Sequence, residues 1–437
     1  MASLGHDVVG IDVDAPKIAD LAAGRAPFYE PGLPEFLEAG VATGRLSFDT
    51  DMEAARGASM HFLALGTPQA PSGAADLSYL FTAVTELLPV LRPGTLVVGK
   101  STVPVGVAAQ LAVLVESTGA RLAWNPEFLR EGHAIKDTLE PDRMVYGVRE
   151  GDEQSVAMLD ELYAPILASG VSRMVTDYAT AELVKVAANA FLATKISFIN
   201  AMAEIAEVAG ADISQLADAL GQDPRIGRRF LNAGLGFGGG CLPKDIRGFI
   251  ARADELGVGE SLGFLREVEA INLRRRDRVV QLAREESKGS LAGVRVAILG
   301  LAFKPMSDDV RDSPALDVAR RLLDEGVDVA AHDPEAIEKA RLSVPELDYH
   351  GSALDALDGG DLLLVLTEWS DYAALDPVAA ASRVRTRTVI DARGCLDADR
   401  WRAAGWRVLA LGRAVPVRAE GARPVPTAPR ATQLVSR

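Results

Sequence analysis

Arg295-Val-Ala-Ile-Leu-Gly300, Ser313-Pro-Ala-Leu-Asp-Val-Ala-Arg-Arg-Leu-Leu-Asp-Glu-Gly326 and Val327-Asp-Val-Ala-Ala-His-Asp333 follow one another as an apolar run, an amphipathic stretch and a second apolar run ending on an acid. The pattern predicts strand, helix, strand: Ser-Pro opens the helix, glycine stops it, and short apolar runs on either side read as neighbouring parallel strands. The amino terminus repeats the last part, with Gly5-His-Asp-Val-Val-Gly-Ile-Asp12 beside Gly326-Val-Asp-Val-Ala-Ala-His-Asp333. A strand closing on an acid is how the second strand of a dinucleotide-binding unit ends, its carboxylate taking the adenosine ribose hydroxyls. Asp12 is therefore a candidate cofactor ligand. The glycine-rich turn that holds a pyrophosphate belongs about 20 residues before that acid, yet only eleven residues precede Asp12. In the second copy thirty-two residues separate Val294 from Gly326, whereas four precede Gly5. The expectation is a first domain that lacks its first strand and glycine turn.

Between the two copies, Met60-His-Phe-Leu-Ala-Leu-Gly-Thr-Pro68, a helical stretch from Leu80 to Leu91, and Gly94-Thr-Leu-Val-Val-Gly-Lys-Ser-Thr-Val-Pro-Val-Gly106 continue the alternation. Such alternation predicts an α/β fold with a parallel sheet covered on both faces. Thr67 and Thr102 then stand just past strand ends, where these sheets bind ligands, although turn chemistry alone explains such residues. Tyr178 to Ala209 runs without glycine or proline and predicts a long helix, apolar around most of its circumference and hence buried on several sides. Lys185 and Asn189 sit one turn apart on this rod and need a partner, either a structural ion pair or a charged ligand or oxyanion.

The chemistry concentrates in Gly234-Leu-Gly-Phe-Gly-Gly-Gly-Cys-Leu-Pro-Lys-Asp245. Five glycines leave little between the backbone and whatever lies against it, so a ligand can approach closely. Cys241 follows them, with Lys244 and Asp245 close behind. A thiol near a cation suits a nucleophile, because positive charge favours the thiolate; the alternative is a packed cysteine. Arg225, Arg228 and Arg229 lie just upstream and suit a phosphate. Glu127 and Glu131, four apart in Trp124-Asn-Pro-Glu-Phe-Leu-Arg-Glu131, share a face if that segment is helical and then divide base and positioning work; otherwise they are two solvated glutamates. Only nine of the 46 basic residues are lysines. Lys17, Lys100, Lys185, Lys244 and Lys304 thus mark places where arginine does not substitute.

A net charge of -15 argues against a general nucleic-acid binder, and two cysteines in 437 residues indicate a reducing compartment. No apolar run approaches a membrane span in the sequence, and the first residues carry no secretory pattern. The expectations are a cytoplasmic protein, no metal site and a small-molecule partner. After the polar Ser287-Lys-Gly-Ser-Leu-Ala-Gly293 a further domain begins, with Lys304 and Arg311 in its first loop and Arg393 past a later strand. Cys395 has no cationic motif of its own and reads as structural.

Taken together, Lys100-Ser-Thr-Val-Pro-Val-Gly106, Asn125-Pro-Glu-Phe-Leu-Arg-Glu-Gly132, Glu182-Leu-Val-Lys-Val-Ala-Ala-Asn-Ala-Phe191, Arg225 to Asp245, and Leu299-Gly-Leu-Ala-Phe-Lys-Pro305 resemble the UDP-glucose/GDP-mannose dehydrogenase family, in its order and spacing. The run from Arg225 to Asp245 looks most like the UDP-glucose 6-dehydrogenase branch, with the GDP-mannose and UDP-N-acetylamino-sugar branches as alternatives. The resemblance implies two Rossmann-like doubly wound domains joined by the long central helix: an NAD-binding domain over 1–176, a central helical domain over 177–289, a UDP-binding domain over 290–412, and a disordered tail over 413–437. It implies four-electron oxidation of UDP-glucose with NAD through a thiohemiacetal and thioester on Cys241. Lys185 and Asn189 would stabilise the oxyanion, and Asp245 with Glu127 would handle protons and water. Cofactor contacts would fall to Asp12, Lys17, Thr67, Thr102, Glu131, Lys244 and Arg311. Substrate contacts would fall to Glu127, Lys185, Phe230, Leu231, Asn232, Ala233, Gly234, Gly238 and Lys304, with Arg225 and Arg393 reaching into a second subunit of a homodimer or larger oligomer. Against that stand a two-electron dehydrogenase of a small hydroxy acid, which needs no Cys241, and a non-catalytic remnant that binds a nucleotide sugar without NAD.

Overall fold

The computed structural model describes residues 1–414; the tail expected over 413–437 lies, save its first two residues, outside them. Thirteen strands are present among the described residues: β1 (Val8–Ile11), β2 (Leu46–Asp49), β3 (Met60–Leu63), β4 (Leu96–Gly99), β5 (Arg121–Trp124), β6 (Arg143–Gly147), β7 (Ser172–Thr176), β8 (Arg295–Leu299), β9 (Asp328–His332), β10 (Asp348–Tyr349), β11 (Leu362–Val365), β12 (Thr388–Asp391) and β13 (Arg407–Ala410).

The repeat that opened the sequence reading folds as one continuous unit in the C-terminal half. Its six strands lie in the order β10-β9-β8-β11-β12-β13, all parallel, so the strand order reverses between β8 and β11. That is the Rossmann order. The apolar runs of β8 and β11 are buried on both faces, one half of their residues in each of two cores, which is why they read as unbroken rather than alternating. Ser313 caps the intervening helix (Pro314–Asp324) by accepting from the Leu316 N–H, as the Ser-Pro start predicts. Asp333, the acid closing the second strand, is buried and its carboxylate accepts from the N–H groups of Leu301, Ala302, Glu335 and Ala336 and from Trp369 Nε1. Those five donors occupy it fully, so this copy of the motif braces the loop after β8 and leaves no acceptor for a ribose.

In the N-terminal half the strands form two sheets. β1 and β2 pair in parallel by themselves, while β3 to β7 form a five-stranded sheet in sequence order. Where the C-terminal sheet has β8 between β9 and β11, no described residue forms a strand between β1 and β3. Ile11 and Met52 pack on one face of the five-stranded sheet, and Met1 and Leu4 on the other. The junction of β5 with β6 is antiparallel, through the single pair Trp124 and Gly147, a departure from the all-parallel sheet expected.

The long helix spans Tyr178–Ala209, with the Asp177 side chain accepting from the Thr180 N–H at its start and Gly210 in the left-handed region at its end. By length and composition it is apolar enough to cross a membrane. Within the fold it packs against β6 and against the helices Val107–Glu116, Leu242–Glu255 and Gly263–Glu286, with Phe191, Phe198 and Ile205 left exposed. Among its buried polar side chains, the Glu182 carboxylate accepts from the N–H groups of Gly106 and Ala108 at the start of helix Val107–Glu116, an anion at a helix N-terminus.

Candidate active site

Three segments converge on Cys241. Cys241 itself occupies the N-cap position of helix Leu242–Glu255, whose Pro243 starts it. One turn in, Asp245 is 5% exposed and receives a hydrogen bond from Asn189 Nδ2 at 2.6 Å, across the contact with the long helix. Lys244 Nζ lies 2.8 Å from the other carboxylate oxygen and 3.3 Å from Thr67 Oγ1. The two helices thus meet around a polar pair whose members lie fifty-six residues apart in sequence. Thr67 in turn donates to the carbonyl of Thr102 at 2.8 Å, joining the ends of β3 and β4.

Lys185 lies a helical turn before Asn189, with its Nζ 5.6 Å from the centre of the Phe128 ring. Burial lowers its pKa, while Asp245, Cys241 and Glu127 pull it back up. The Cys241 thiol is pushed up, first by burial and then by Asp245 and Glu131, with Lys185 and Lys244 opposing. The residue as a whole is exposed. The two lysines that favour a thiolate are therefore opposed by burial and by two carboxylates, and the thiol is shifted upward.

Glu127 and Glu131 do not share a helical face. The segment from 125 to 130 is irregular, because the next helix begins only at Ala134. Glu127 accepts from the backbone of Phe128 and Leu129 and pairs with Lys100 Nζ at 3.0 Å. Burial raises its carboxyl, but Lys100 and those two N–H groups outweigh it and hold the pKa below the ordinary range. Lys100, flagged only by composition, is itself fixed by Asn125 Oδ1, which also accepts from Tyr163. Glu131 faces the C-terminal domain instead. Lys304 Nζ donates to its carbonyl at 2.6 Å, Ser307 Oγ to its carboxylate at 3.3 Å, and Arg311 stands 3.5 Å away. Burial and Asp309 raise the pKa of Glu131, and burial lowers that of Lys304.

The glycine loop meets the protein's own atoms. A Cβ on Gly236 would stand 2.3 Å from Asn272 Oδ1, on Gly238 2.3 Å from the Asp312 carbonyl, and on Gly240 2.4 Å from the Arg311 guanidinium carbon. The room attributed to a ligand is, on these sides, filled by helix Gly263–Glu286 and the loop after β8. Ahead of it, Phe230 is exposed with a left-handed φ of 65°, Leu231 is buried in a core with Ile199 and Ala203, and Asn232 accepts from Arg228. Arg225 is 87% exposed and pairs only with Asp223 among the described residues. Arg393 is nearly buried and donates to the carbonyls of Leu366, Gly236 and Phe303, so within one chain it ties the glycine loop to the C-terminal sheet.

On the cofactor side Asp12 ends β1 with its Oδ2 2.6 Å from Lys17 Nζ. Lys17 lowers its pKa. Unlike Asp333, this carboxylate remains accessible at the strand end. With Thr67, Thr102 and Lys244 it lines the carboxyl ends of the N-terminal strands, which fits the ribose and nicotinamide ends of a dinucleotide. No described residue ahead of Asp12 forms a glycine-rich turn. Sequence reasoning missed Asn125, Tyr163, Asn200, Asn272, Arg275 and Arg276. The last three were legible: they continue the stripe of Leu265, Val268 and Val279 at helical spacing, so an arginine-rich helix carries polar residues at core positions.

A dinucleotide-type sheet, a second Rossmann-like domain, and a thiol, lysine and amide gathered between them define a class of protein: the NAD-dependent dehydrogenases of nucleotide sugars. The chain belongs to the UDP-glucose/GDP-mannose dehydrogenase family, matching that family's NAD binding domain over residues 1–167, its central domain over 179–274 and its UDP binding domain over 297–398. It is 39% identical over 418 residues to the UDP-glucose 6-dehydrogenase of Rhizobium meliloti, covering 94% of this chain and 95% of that protein. It is 42% identical over 405 residues to UDP-glucose 6-dehydrogenase AglM of Haloferax volcanii, covering 90% and 92%. The solved structure of a UDP-glucose dehydrogenase from Pyrobaculum islandicum superimposes with a TM-score of 0.86 at 39% identity, over 94% of each chain.

Proposed function

We propose that the protein oxidises UDP-glucose to UDP-glucuronate, and that Cys241 carries the sugar through the second half of the reaction. The observation that carries this reading is the Asn189, Asp245, Lys244 cluster beside Cys241: an alcohol dehydrogenase stopping at the carbonyl needs no thiol, whereas a four-electron oxidation does. NAD, when bound, supplies the oxidant, accepting one hydride in each of the two oxidations. After the first, the Cys241 thiol gives up its proton and its sulphur adds to the aldehyde carbon. The carbonyl oxygen becomes an oxyanion, for which Lys185 and Asn189 are the nearby donors, and is protonated to the thiohemiacetal. The second oxidation removes the carbon-bound hydrogen and the hydroxyl proton, leaving a thioester. Water positioned by Asp245 or the ionised Glu127 attacks it, the carbon–sulphur bond breaks, the carboxylate leaves and the thiol is restored. The test is reduced nicotinamide formed per UDP-glucose consumed: two are expected, one would reduce the reading to a simple dehydrogenase, and none with UDP-glucose but two with another nucleotide sugar would move the substrate.

We further infer a cytoplasmic homodimer built on the long helix. Phe191, Phe198 and Ile205 are spaced seven apart and 67%, 47% and 60% exposed, which puts them on one stripe of the helix. A stripe of that kind on a soluble protein calls for a partner. Light scattering is expected to give the dimer mass, with Phe198→Glu shifting it to monomer; a monomeric parent would reject the arrangement. On this reading the exposed Arg225 is the residue that reaches into the partner's substrate site.

A further inference from the structure

The backbone from Gly234 to Phe237, which leads into the Cys241 loop, has its polar groups claimed by side chains from three separate elements. Asn200 Oδ1 on the long helix accepts from the Gly234 N–H at 2.8 Å. The Gly236 carbonyl accepts from Arg393 Nη1 at 2.9 Å. Asn272 closes on Phe237 from both sides, its Oδ1 accepting from the N–H at 2.7 Å and its Nδ2 donating to the carbonyl at 2.9 Å. A side-chain amide thereby pairs one residue as a neighbouring strand would. Asn272 is 2% exposed in the middle of helix Gly263–Glu286, and Gly236 holds a left-handed φ of 97° directly against it. A buried amide without partners would be costly, and here both of its hydrogen-bonding ends are satisfied by one residue of the loop. None of these groups takes part in the chemistry at the thiol.

We infer that Asn272 is a positioning residue: by clamping the peptide at Phe237 it makes the substrate segment upstream and Cys241 four residues downstream one rigid piece. The inference rests on the reading above that this loop receives the nucleotide sugar. Precise placement of reacting groups is worth orders of magnitude in rate and binding, and a side chain anchored in a helix supplies it without touching the ligand.

The test is Asn272→Leu, near in size but unable to bond either side of Phe237, with Asn272→Ser as the milder variant should the first not fold. Two readouts are taken. Hydrogen exchange of the ligand-free protein is expected to accelerate at the amides of 234–241 by at least about tenfold while the C-terminal sheet is unchanged. The KM for UDP-glucose and the Kd for UDP are expected to rise at least about tenfold, with the KM for NAD within about twofold. A loss of melting temperature with equal weakening of both ligands would make Asn272 an ordinary core residue. Unchanged exchange at 234–241 in a folded variant would overturn the clamp. Should the parent fail to bind UDP-glucose or UDP, the functional reading falls and exchange alone still decides the clamp.

Discussion

Replacing Cys241 with alanine is expected to leave a folded protein that binds UDP-glucose and NAD but forms UDP-glucuronate at least about 10³-fold more slowly, a modest figure for deleting a nucleophile. The residue caps a helix with backbone rather than its side chain and is exposed as a whole, so the fold does not depend on the sulphur. On the proposed route the aldehyde then lacks the sulphur that makes it tetrahedral, and turnover should stop after the first oxidation or return to the alcohol. Product analysis by mass, alongside reduced nicotinamide, checks this. Full acid formation by the alanine variant would exclude the thioester route altogether. A variant that no longer binds UDP-glucose would instead locate the loss in the loop's shape.

Lys185→Met is the second large effect. As the cation to which the proposed mechanism assigns the developing oxyanion, Lys185 is expected to be worth about 10² to 10³ in kcat, the range seen when one oxyanion donor is removed. The pH dependence follows from the shifts at the site. Cys241 is raised, so its thiolate, and with it alkylation by iodoacetamide, grows with pH and lags behind an ordinary thiol. Lys185 is lowered, so its charge is present below that depressed value and lost as pH rises through it, earlier than for a solvated lysine. Activity should accordingly climb with pH on the thiol limb and fall on the lysine limb, the two limbs lying closer together than for a free thiol and a solvated lysine. In Lys185→Met the falling limb should disappear, and the alkylation profile should move further up, because the charge that stabilised the thiolate is gone. An alkylation profile unmoved by the substitution would mean that the two groups do not sense each other.

Much of this was readable from residue order. The alternation of strands and helices, the long helix from Tyr178 to Ala209, the continuous apolar runs of β8 and β11, and the unusual company of Cys241 all follow from local rules: period, caps, and glycine or proline breaks. Lysines stood out against an arginine-rich background, and Lys100, named on that basis alone, turned out to hold Glu127. The reading went astray where partners come from distant segments. Glu127 and Glu131, which would share a face only if their segment were helical, point to different domains because Pro126 and the irregular stretch after it form no helix.

What the sequence by itself determined was the set of elements and the chemical types at their ends, since hydrophobic periodicity and capping act within a few residues. What only the tertiary structure decided was which groups are spent on the fold and which stay free for a ligand. Asp12 and Asp333 end equivalent strands with the same carboxylate, yet Asp333 is saturated by five donors and Asp12 keeps an accessible face. The glycines from 234 to 240 looked like space for a substrate, and several are space for Asn272, Asp312 and Arg311. The balance of two lysines, two carboxylates and burial that sets the thiol is likewise a matter of distance across packed helices. Electrostatic and hydrogen-bonding partners are chosen by proximity in space, and residue order alone does not carry that information.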